Sequence, residues 1–224
     1  MKSTKVAAVL FAALVLVGTQ AGATVVFSWT GGTLQIPPSI NYFGPGPQTF
    51  GVGNVVWSST NAANQGGSVF GYTGGYGFIN NGFWDGALGP MIGLNDSFDA
   101  YGVTDTMTFA FASPLRSVGA FFNYVPGDST ITTIAVYDAS HTLIESYNPT
   151  WNFGNTGCID CGQLVGFAEG TANISYLTLT DNYVALVNLT TDFNTSTTPE
   201  PSSLLLLGSG VLGLAGVIRR KINL

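Results

Sequence analysis

Residues 105–124 read DTMTFAFASPLRSVGAFFNY and carry the clearest secondary-structure pattern of the chain. It contains two runs in which apolar residues occupy every second position. These positions are Met107, Phe109 and Phe111 in the first run and Val118, Ala120 and Phe122 in the second. Successive side chains of a β-strand point to opposite faces of a sheet, so this period of two predicts half-buried strands. Pro114 lies between the runs and predicts a break between two strands.

The same pattern continues towards the C-terminus. Ile134 and Val136 again occupy alternate positions, and residues 137–142 (YDASHT) have the composition of a hairpin turn. Later strands are predicted by three more apolar segments, over residues 163–167, 174–179 and 183–189.

The chain before residue 105 is rich in glycine, asparagine, proline and aromatic residues. Turn sequences recur there at residues 44–47 (GPGP), 66–67, 74–75 and 80–82. We therefore expect short strands joined by long loops. No segment carries an apolar stripe of helical period with capping residues, so the sequence predicts an all-β, antiparallel β-sandwich domain over residues 24–189, with jelly-roll-like connectivity.

Charge is distributed very unevenly along the chain. Residues 24–198 contain eleven acidic residues and one basic residue, Arg116, which gives them a net charge of −10. Such a domain cannot replace the counterions of a phosphate backbone with its own cations, so nucleic acid is excluded as a partner. Neutral glycans and divalent cations are compatible with this charge, and so is a purely solubilising role for the acids.

The N-terminus has the pattern of a secretory signal peptide, which we place at residues 1–23. Lys2 and Lys5 precede an apolar run of twelve residues, 6–17, which is predicted to form the signal helix. Ala21-Gly22-Ala23 fits the small-x-small cleavage pattern, and cleavage after Ala23 would free Thr24. The pattern predicts export by the Sec machinery, with an uncleaved anchor as the alternative.

The C-terminus has three parts in a fixed order. Pro199-Glu200-Pro201 is followed by the uncharged apolar segment 202–218 and then by Arg219-Arg220-Lys221. As a helix the apolar segment would rise about 25 Å, close to the thickness of a bilayer core. The basic cluster would lie in the cytoplasm by the positive-inside rule, and the sandwich would lie outside. Residues 190–198, rich in Thr, Ser and Asn, are predicted to be a flexible linker.

This ordered triplet resembles the PEP-CTERM sorting signal of Gram-negative bacteria. The resemblance covers residues 199–224 and implies recognition of Pro199-Glu200-Pro201 by an exosortase, a membrane-embedded transpeptidase-like enzyme. It also implies transient anchoring in the inner membrane, removal of the tail, and a final place at the cell surface or outside the cell. Proteins of this kind are typical of bacteria that make exopolysaccharide or biofilm matrix. The alternative is a plain membrane anchor with an incidental Pro-Glu-Pro.

The second half of the domain also resembles lectin-like β-sandwich domains found in PEP-CTERM proteins. The matching segments are residues 115–122, 134–138, 165–167 and 174–179. This resemblance implies a fold and not a ligand.

Cys158 and Cys161 are the two cysteines of the chain. A redox pair would normally open a helix, and no helical pattern follows here. A zinc site needs four ligands, and His141 is the one histidine available. An exported domain folds in an oxidising compartment, so we expect a local disulfide.

No residue is predicted to be catalytic. His141 and Asp138 share one predicted turn, which does not suit a Ser-His-Asp triad. A glycosidase would need two carboxylates that face each other across a cleft, and the sequence gives no distances between the candidates. The candidates are Asp85, Asp138, Glu145, Glu169 and Asp181.

Two further groups of side chains could bind ligands. The oxygens of Asn95, Asp96, Asp99 and Asp105 are of the kind that Ca²⁺ accepts, but their spacing matches no EF-hand loop and also suits Asx turns. No cofactor is therefore predicted. A second group could stack on sugars, although core packing is favoured because this half of the chain has few aliphatic residues. It comprises Trp57, Tyr72, Tyr76, Trp84 and Trp151.

Together these patterns predict a non-enzymatic surface or matrix protein that an exosortase processes and that contacts extracellular polysaccharide. The alternative from another class is a secreted carbohydrate-active enzyme on the same fold. A purely structural coat component is a third option.

Overall fold

A computed structural model of the chain describes residues 22–61, 67–95, 104–127 and 130–195. Within these ranges the backbone forms sixteen β-strands and one short 3-10 helix, η1, at Ile79–Asn81. The strands are β1 Thr24–Val26, β2 Thr33–Gln35, β3 Tyr42–Phe43, β4 Gln48–Phe50, β5 Val55–Ser59, β6 Ser68–Tyr72, β7 Tyr76–Gly77, β8 Phe83–Trp84, β9 Met91–Leu94, β10 Asp105–Leu115, β11 Ser117–Tyr124, β12 Thr133–Tyr137, β13 Leu143–Tyr147, β14 Gln163–Ala168, β15 Ile174–Asp181 and β16 Val184–Thr191.

The strands form two large sheets in which every strand pair is antiparallel. The eight-stranded sheet has the order β1-β14-β11-β16-β9-β6-β3, with β2 also paired to β16. The six-stranded sheet has the order β13-β12-β15-β10-β5-β4, and β7 and β8 form a separate hairpin. The consecutive strands β10 and β11 lie in different sheets, so residues 105–124 link the two layers.

One hydrophobic core joins the two sheets. The eight-stranded sheet contributes residues such as Phe122 and Phe167, and the six-stranded sheet contributes Phe109 and Leu177. All four side chains are essentially inaccessible to solvent. The described residues therefore confirm an all-β sandwich, while the jelly-roll-like connectivity stays a prediction.

The predicted helices lie outside the described residues. These are the signal helix within residues 1–23 and the membrane-spanning helix at 202–218. Among the residues that the structure describes, no helix has the length and apolarity required to cross a membrane.

Pro114 does not separate two strands as predicted, because it lies inside β10. The pairing of β10 with β15 shifts register between Ala110 and Leu115, and Pro114 falls in this irregularity. Proline has no N–H to donate to a ladder, and a bulge is one of the few places in a sheet that tolerate it. The turn between the sheets follows at Arg116.

The hairpin predicted at residues 137–142 joins β12 to β13. Asp138 stabilises it, since its Oδ1 accepts hydrogen bonds from the backbone N–H groups of Ser140 and Thr142, both at 2.8 Å. His141 takes a left-handed conformation with φ of 59°.

The sandwich extends beyond the predicted boundary at Leu189. Thr190 and Thr191 belong to β16 and pair with β2, and Phe193 is buried. The backbones of Thr30 and Asn194 exchange two hydrogen bonds of 3.0 Å. Residues 190–194 are thus part of the domain and not of the linker. Their composition was misleading because threonine is β-branched and suits a strand as well as a linker.

Candidate functional site

A buried asparagine organises one end of the sandwich. Asn81, in η1, is inaccessible to solvent, and its Nδ2 donates to the carbonyl oxygens of Tyr124 and Trp151 at 3.1 and 3.5 Å. Its Oδ1 accepts a hydrogen bond from the backbone N–H of Phe153 at 3.0 Å. One amide side chain therefore joins η1, the end of β11 and the loop after Trp151.

A second buried asparagine continues this network. Nδ2 of Asn123 donates to the carbonyl oxygens of Asn81 and Cys161, at 3.0 and 2.8 Å. The Cys161 carbonyl also accepts a hydrogen bond from Trp84 Nε1 at 2.7 Å. Buried polar groups that are satisfied in this way fix the position of the chain that carries them.

The cysteines lie in the same loop. Cys158 and Cys161 are joined by a disulfide, with their Cα atoms 5.8 Å apart. Backbone hydrogen bonds attach the segment to β8, from Phe83 N–H to the Cys158 carbonyl at 2.9 Å and from Asp160 N–H to the Phe83 carbonyl at 2.8 Å. Buried side chains, a covalent bond and a short β-bridge thus hold the loop from one side.

The other side of this loop faces solvent. We call residues 152–159 (NFGNTGCI) the loop platform. Phe153 is 38% exposed and Ile159 is 57% exposed, and Asn152 and Asn155 are exposed beside them. Each asparagine Oδ1 accepts a backbone N–H two residues further on, at 2.9 and 3.0 Å, so the loop has internal order. The platform carries no charged residue, and its surface combines an aromatic ring with neutral amides.

The aromatic residues singled out by sequence mostly belong to the core. Trp57, Trp84 and Tyr76 are buried, and Tyr76 donates its hydroxyl to the Leu94 carbonyl at 2.8 Å. The favoured prediction, core packing, is therefore confirmed for these three, and the alternative of sugar stacking is excluded for them. Tyr72 and Trp151 are partly exposed but pack against other rings: Tyr72 on Phe43 and Tyr76, and Trp151 on Tyr124 and Tyr147.

Sequence reasoning missed Phe153. It lies two residues after Trp151 in a segment of glycine and asparagine, where no strand pattern would bury a second ring. The glycine and asparagine residues around Phe153 were the one feature of the sequence that indicated an exposed ring.

A cleft of about 480 Å³ lies elsewhere on the molecule, beside the β12–β13 hairpin. Of the five candidate carboxylates, it brings together Asp138 and Glu169. One oxygen of Glu169 is buried and has no hydrogen-bond partner among the described residues. Burial, together with the negative charge of Asp138, raises the pKa of the Glu169 carboxyl above its usual value.

The other three carboxylates do not join this cleft. Asp181 is fully buried and accepts hydrogen bonds from the hydroxyls of Thr130 and Thr132 and from the N–H of Asn182. Asp85 accepts the Ala87 N–H at 2.8 Å and Glu145 the Ser146 N–H at 2.9 Å, which are local contacts.

His141 is exposed and stacks on Tyr176, with ring centroids 4.2 Å apart. Asp138, three residues before it, is occupied by the hairpin amides. The arrangement is that of a turn and not of a catalytic triad.

Half of the calcium candidates lie within the described residues. Asp105 Oδ1 accepts the hydroxyl of Thr60 at 2.8 Å, and the Asn95 N–H donates to the Gly67 carbonyl at 3.0 Å. Asp96 and Asp99 lie outside. In the part of the chain that the structure describes, no three His, Cys, Asp or Glu side chains come together as metal ligands would. Calcium binding stays a prediction.

Comparison with known proteins identifies the tail. Residues 197–221 match the family described as "PEP-CTERM protein-sorting motif", and this range contains the Pro-Glu-Pro, apolar and basic parts predicted from sequence. The match indicates an exported protein that an exosortase sorts after transient anchoring in the membrane. These residues and the predicted cleavage residue Ala21 lie outside the described ranges, whereas Ala23 lies within them.

The domain itself has little similarity to known proteins. No curated protein matches the chain. Among solved structures, a His 62 mutant of the lectin binding domain of Lectinolysin, complexed with Lewis b, is similar over 47% of this chain and 72% of that one. The identity is 9% and the TM-score 0.29.

Proposed function

We propose that this chain is a non-enzymatic surface or matrix protein, released from the membrane by an exosortase, whose loop platform contacts neutral extracellular polysaccharide. The sorting motif at residues 197–221 supports the first part of the proposal. The observation that carries the second part is the solvent-facing, uncharged loop held rigid by Asn81, Asn123 and the disulfide.

Rigidity supports a binding role because a fixed surface loses little conformational entropy when a ligand binds. The Phe153 ring offers an apolar face to the C–H groups of a sugar, and the Asn152 and Asn155 amides offer donors to its hydroxyls. Ligand sites commonly combine an aromatic surface with a few polar groups in this way.

Charge supports a neutral glycan over an acidic one. Residues 24–198 carry a net charge of −10, and a polyuronate would be repelled by that field. A neutral polymer meets no such barrier. Its binding should accordingly depend weakly on salt.

The test is binding of the mature protein to an insoluble neutral glucan, to a polyuronate and to matrix polysaccharide from the native host. We expect the first and third to bind and the polyuronate not to bind. Phe153→Ala should weaken binding by about tenfold, the usual effect of removing an aromatic anchor.

Phe43→Ala is the matched control, because Phe43 is also a partly exposed phenylalanine and lies on the edge strand β3. It should leave binding unchanged. Equal binding by wild type and Phe153→Ala, or no binding to any of the three polymers, would contradict the role given to the platform.

The cleft at Asp138 and Glu169 favours a second candidate, a secreted glycosidase. Acid-base hydrolysis of a glycosidic bond uses two carboxylates in one cleft, one of them with a raised pKa, and Asp138 and Glu169 meet this part of the requirement. Release of reducing sugar from the same polymers by wild type, and its loss in Glu169→Gln, would support the enzyme over the binding module.

A further inference from the structure

The first described residues of the chain already belong to the folded domain. Ala23 is only 5% exposed and lies in the main hydrophobic core. Thr24 follows as the first residue of β1 and pairs with Ala168. Gly22 lines the cleft that contains Asp138 and Glu169. The fold therefore uses two residues that cleavage after Ala23 would remove.

The same cleft has excess negative charge. Asp138 and Glu169 are the titratable groups that line it within the described residues, and no basic side chain lies among its lining residues. Arg116 contacts Glu169 through its backbone carbonyl, which accepts the Glu169 N–H at 2.8 Å. One oxygen of Glu169 is buried without a hydrogen-bond partner among the described residues, and a hydrogen-bonding cation beside it would stabilise the carboxylate.

The sequence offers two cleavage positions two residues apart. Ala21-Gly22-Ala23 fits the small-x-small pattern, and Thr19-Gln20-Ala21 fits it as well. Cleavage at the second position frees Gly22. It keeps Ala23 in the core and places a new α-ammonium group at the residue that lines the acidic cleft.

We propose that the signal peptide is cleaved after Ala21, and that the α-ammonium group of Gly22 is the counter-ion of Glu169 and Asp138. Water hydrolyses the Ala21–Gly22 peptide bond; the carboxylate leaves with the signal peptide, and the amine of Gly22 takes up a proton. The proposal rests on export through a signal peptide, as in the proposed function, and specifies what export processing adds to the folded domain.

Intact mass of the protein secreted by its native host decides the cleavage position. A chain that begins at Gly22 is the expected result. A chain that begins at Thr24 overturns this proposal and leaves the proposed function standing, because export would still have occurred. A chain that retains residues 1–21 overturns both.

The ion pair has a separate test, in which the α-amine is modified chemically. Residues 24–198 contain no lysine, so in the tail-free protein acetic anhydride has the α-amine as its one primary amine. Acetylation removes the charge of Gly22. We expect it to lower the Tm of the wild type by about 2–4 °C, the shift that loss of one modest interaction gives in a domain of this size.

Glu169→Gln is the matching variant, and Glu145→Gln is its control because Glu145 lies outside the cleft. Acetylation should shift the Tm of Glu145→Gln as in the wild type and shift that of Glu169→Gln by less than half as much. The free α-amine should also have a pKa above its usual value of about 7.7 in the wild type, and a lower one in Glu169→Gln. Equal Tm shifts in all three proteins and an ordinary amine pKa would overturn the ion pair.

Discussion

Asn81 shows how one side chain can position a whole loop. Its amide makes three hydrogen bonds, to the carbonyl oxygens of Tyr124 and Trp151 and from the N–H of Phe153. A leucine of similar volume would fill the space but make none of these bonds, although the Trp151 carbonyl would keep the Tyr124 hydroxyl as a donor at 2.7 Å.

We therefore predict that Asn81→Ala lowers the free energy of unfolding by about 2–4 kcal/mol, since three hydrogen bonds of a fully buried side chain are lost. Urea unfolding measures the change. Asn80→Ala is the matched control, because Asn80 is the exposed neighbour in η1 and should change stability by less than about 0.5 kcal/mol. Similar losses in the two variants would contradict the role of Asn81.

Glu169 gives a pH-dependent prediction. Burial and the charge of Asp138 raise its folded-state pKa above 4.5, so the folded state binds more protons than the unfolded state just above that pH. In the acetylated chain, stability should therefore fall as pH rises through the interval between 4.5 and the raised pKa.

Glu169→Gln should remove this part of the pH dependence, because a glutamine has no proton to lose. Thermal unfolding of the acetylated wild type and variant across pH 4–8 makes the comparison. The same slope in both proteins would show that another group is responsible.

Among the contacts between elements, Trp29 packs so closely on the eight-stranded sheet that the sheet has glycines at the contact. Trp29 lies against Gly119 of β11 and Gly166 of β14 and stacks on Phe193, with ring centroids 4.5 Å apart. A Cβ at Gly119 would lie 2.7 Å from the Trp29 ring and 2.9 Å from the Gly166 Cα. The tryptophan has no space to accommodate it without moving off the sheet.

Gly119→Ala should accordingly lower the free energy of unfolding by about 1–3 kcal/mol, the usual range for overpacking. Gly77→Ala, in the β7–β8 hairpin, is the control, because a Cβ there meets no atom within 4 Å. Trp29 fluorescence would report the displacement only indirectly among four tryptophans, so chemical denaturation is the measurement. Unchanged stability in Gly119→Ala would show that the packing of Trp29 is loose.

Sequence predicted the long strands well and the short ones poorly, for a physical reason. Alternation in β10, β11 and β12 is a local property, readable from neighbours in the chain. The pairing of β2 with β16 joins segments more than 150 residues apart, so Thr190 and Thr191 looked like linker when read alone. β-Branched side chains are compatible with both a strand and a linker, so the partner strand is needed to distinguish the two.

The candidate sites show the same division. The cysteine pair could be predicted because the two residues are three positions apart and their disulfide lies within one loop. The meeting of Asp138 with Glu169 depends on how the hairpin and the end of β14 are placed, which no local pattern contains. The buried amides of Asn81 and Asn123 were unreadable for the same reason, because their partners lie in other elements.

At the scale of the whole molecule, charge and sorting agree. Five of the six basic residues flank the two apolar ends, where they would orient the chain in a membrane, and the domain between them carries a net charge of −10. Like-charged copies of such a domain repel each other, which suits the release that we propose.

The proposed function depends on removal of the tail, and the intact mass of the protein from its native host shows directly where the chain ends. A chain that ends between Thr198 and Pro201 is the predicted result, because the exosortase motif begins there. Mass beyond that of the polypeptide would reveal a covalent attachment made during processing. A chain that still contains residues 202–224 would contradict removal of the tail and show that the protein stays anchored in the membrane.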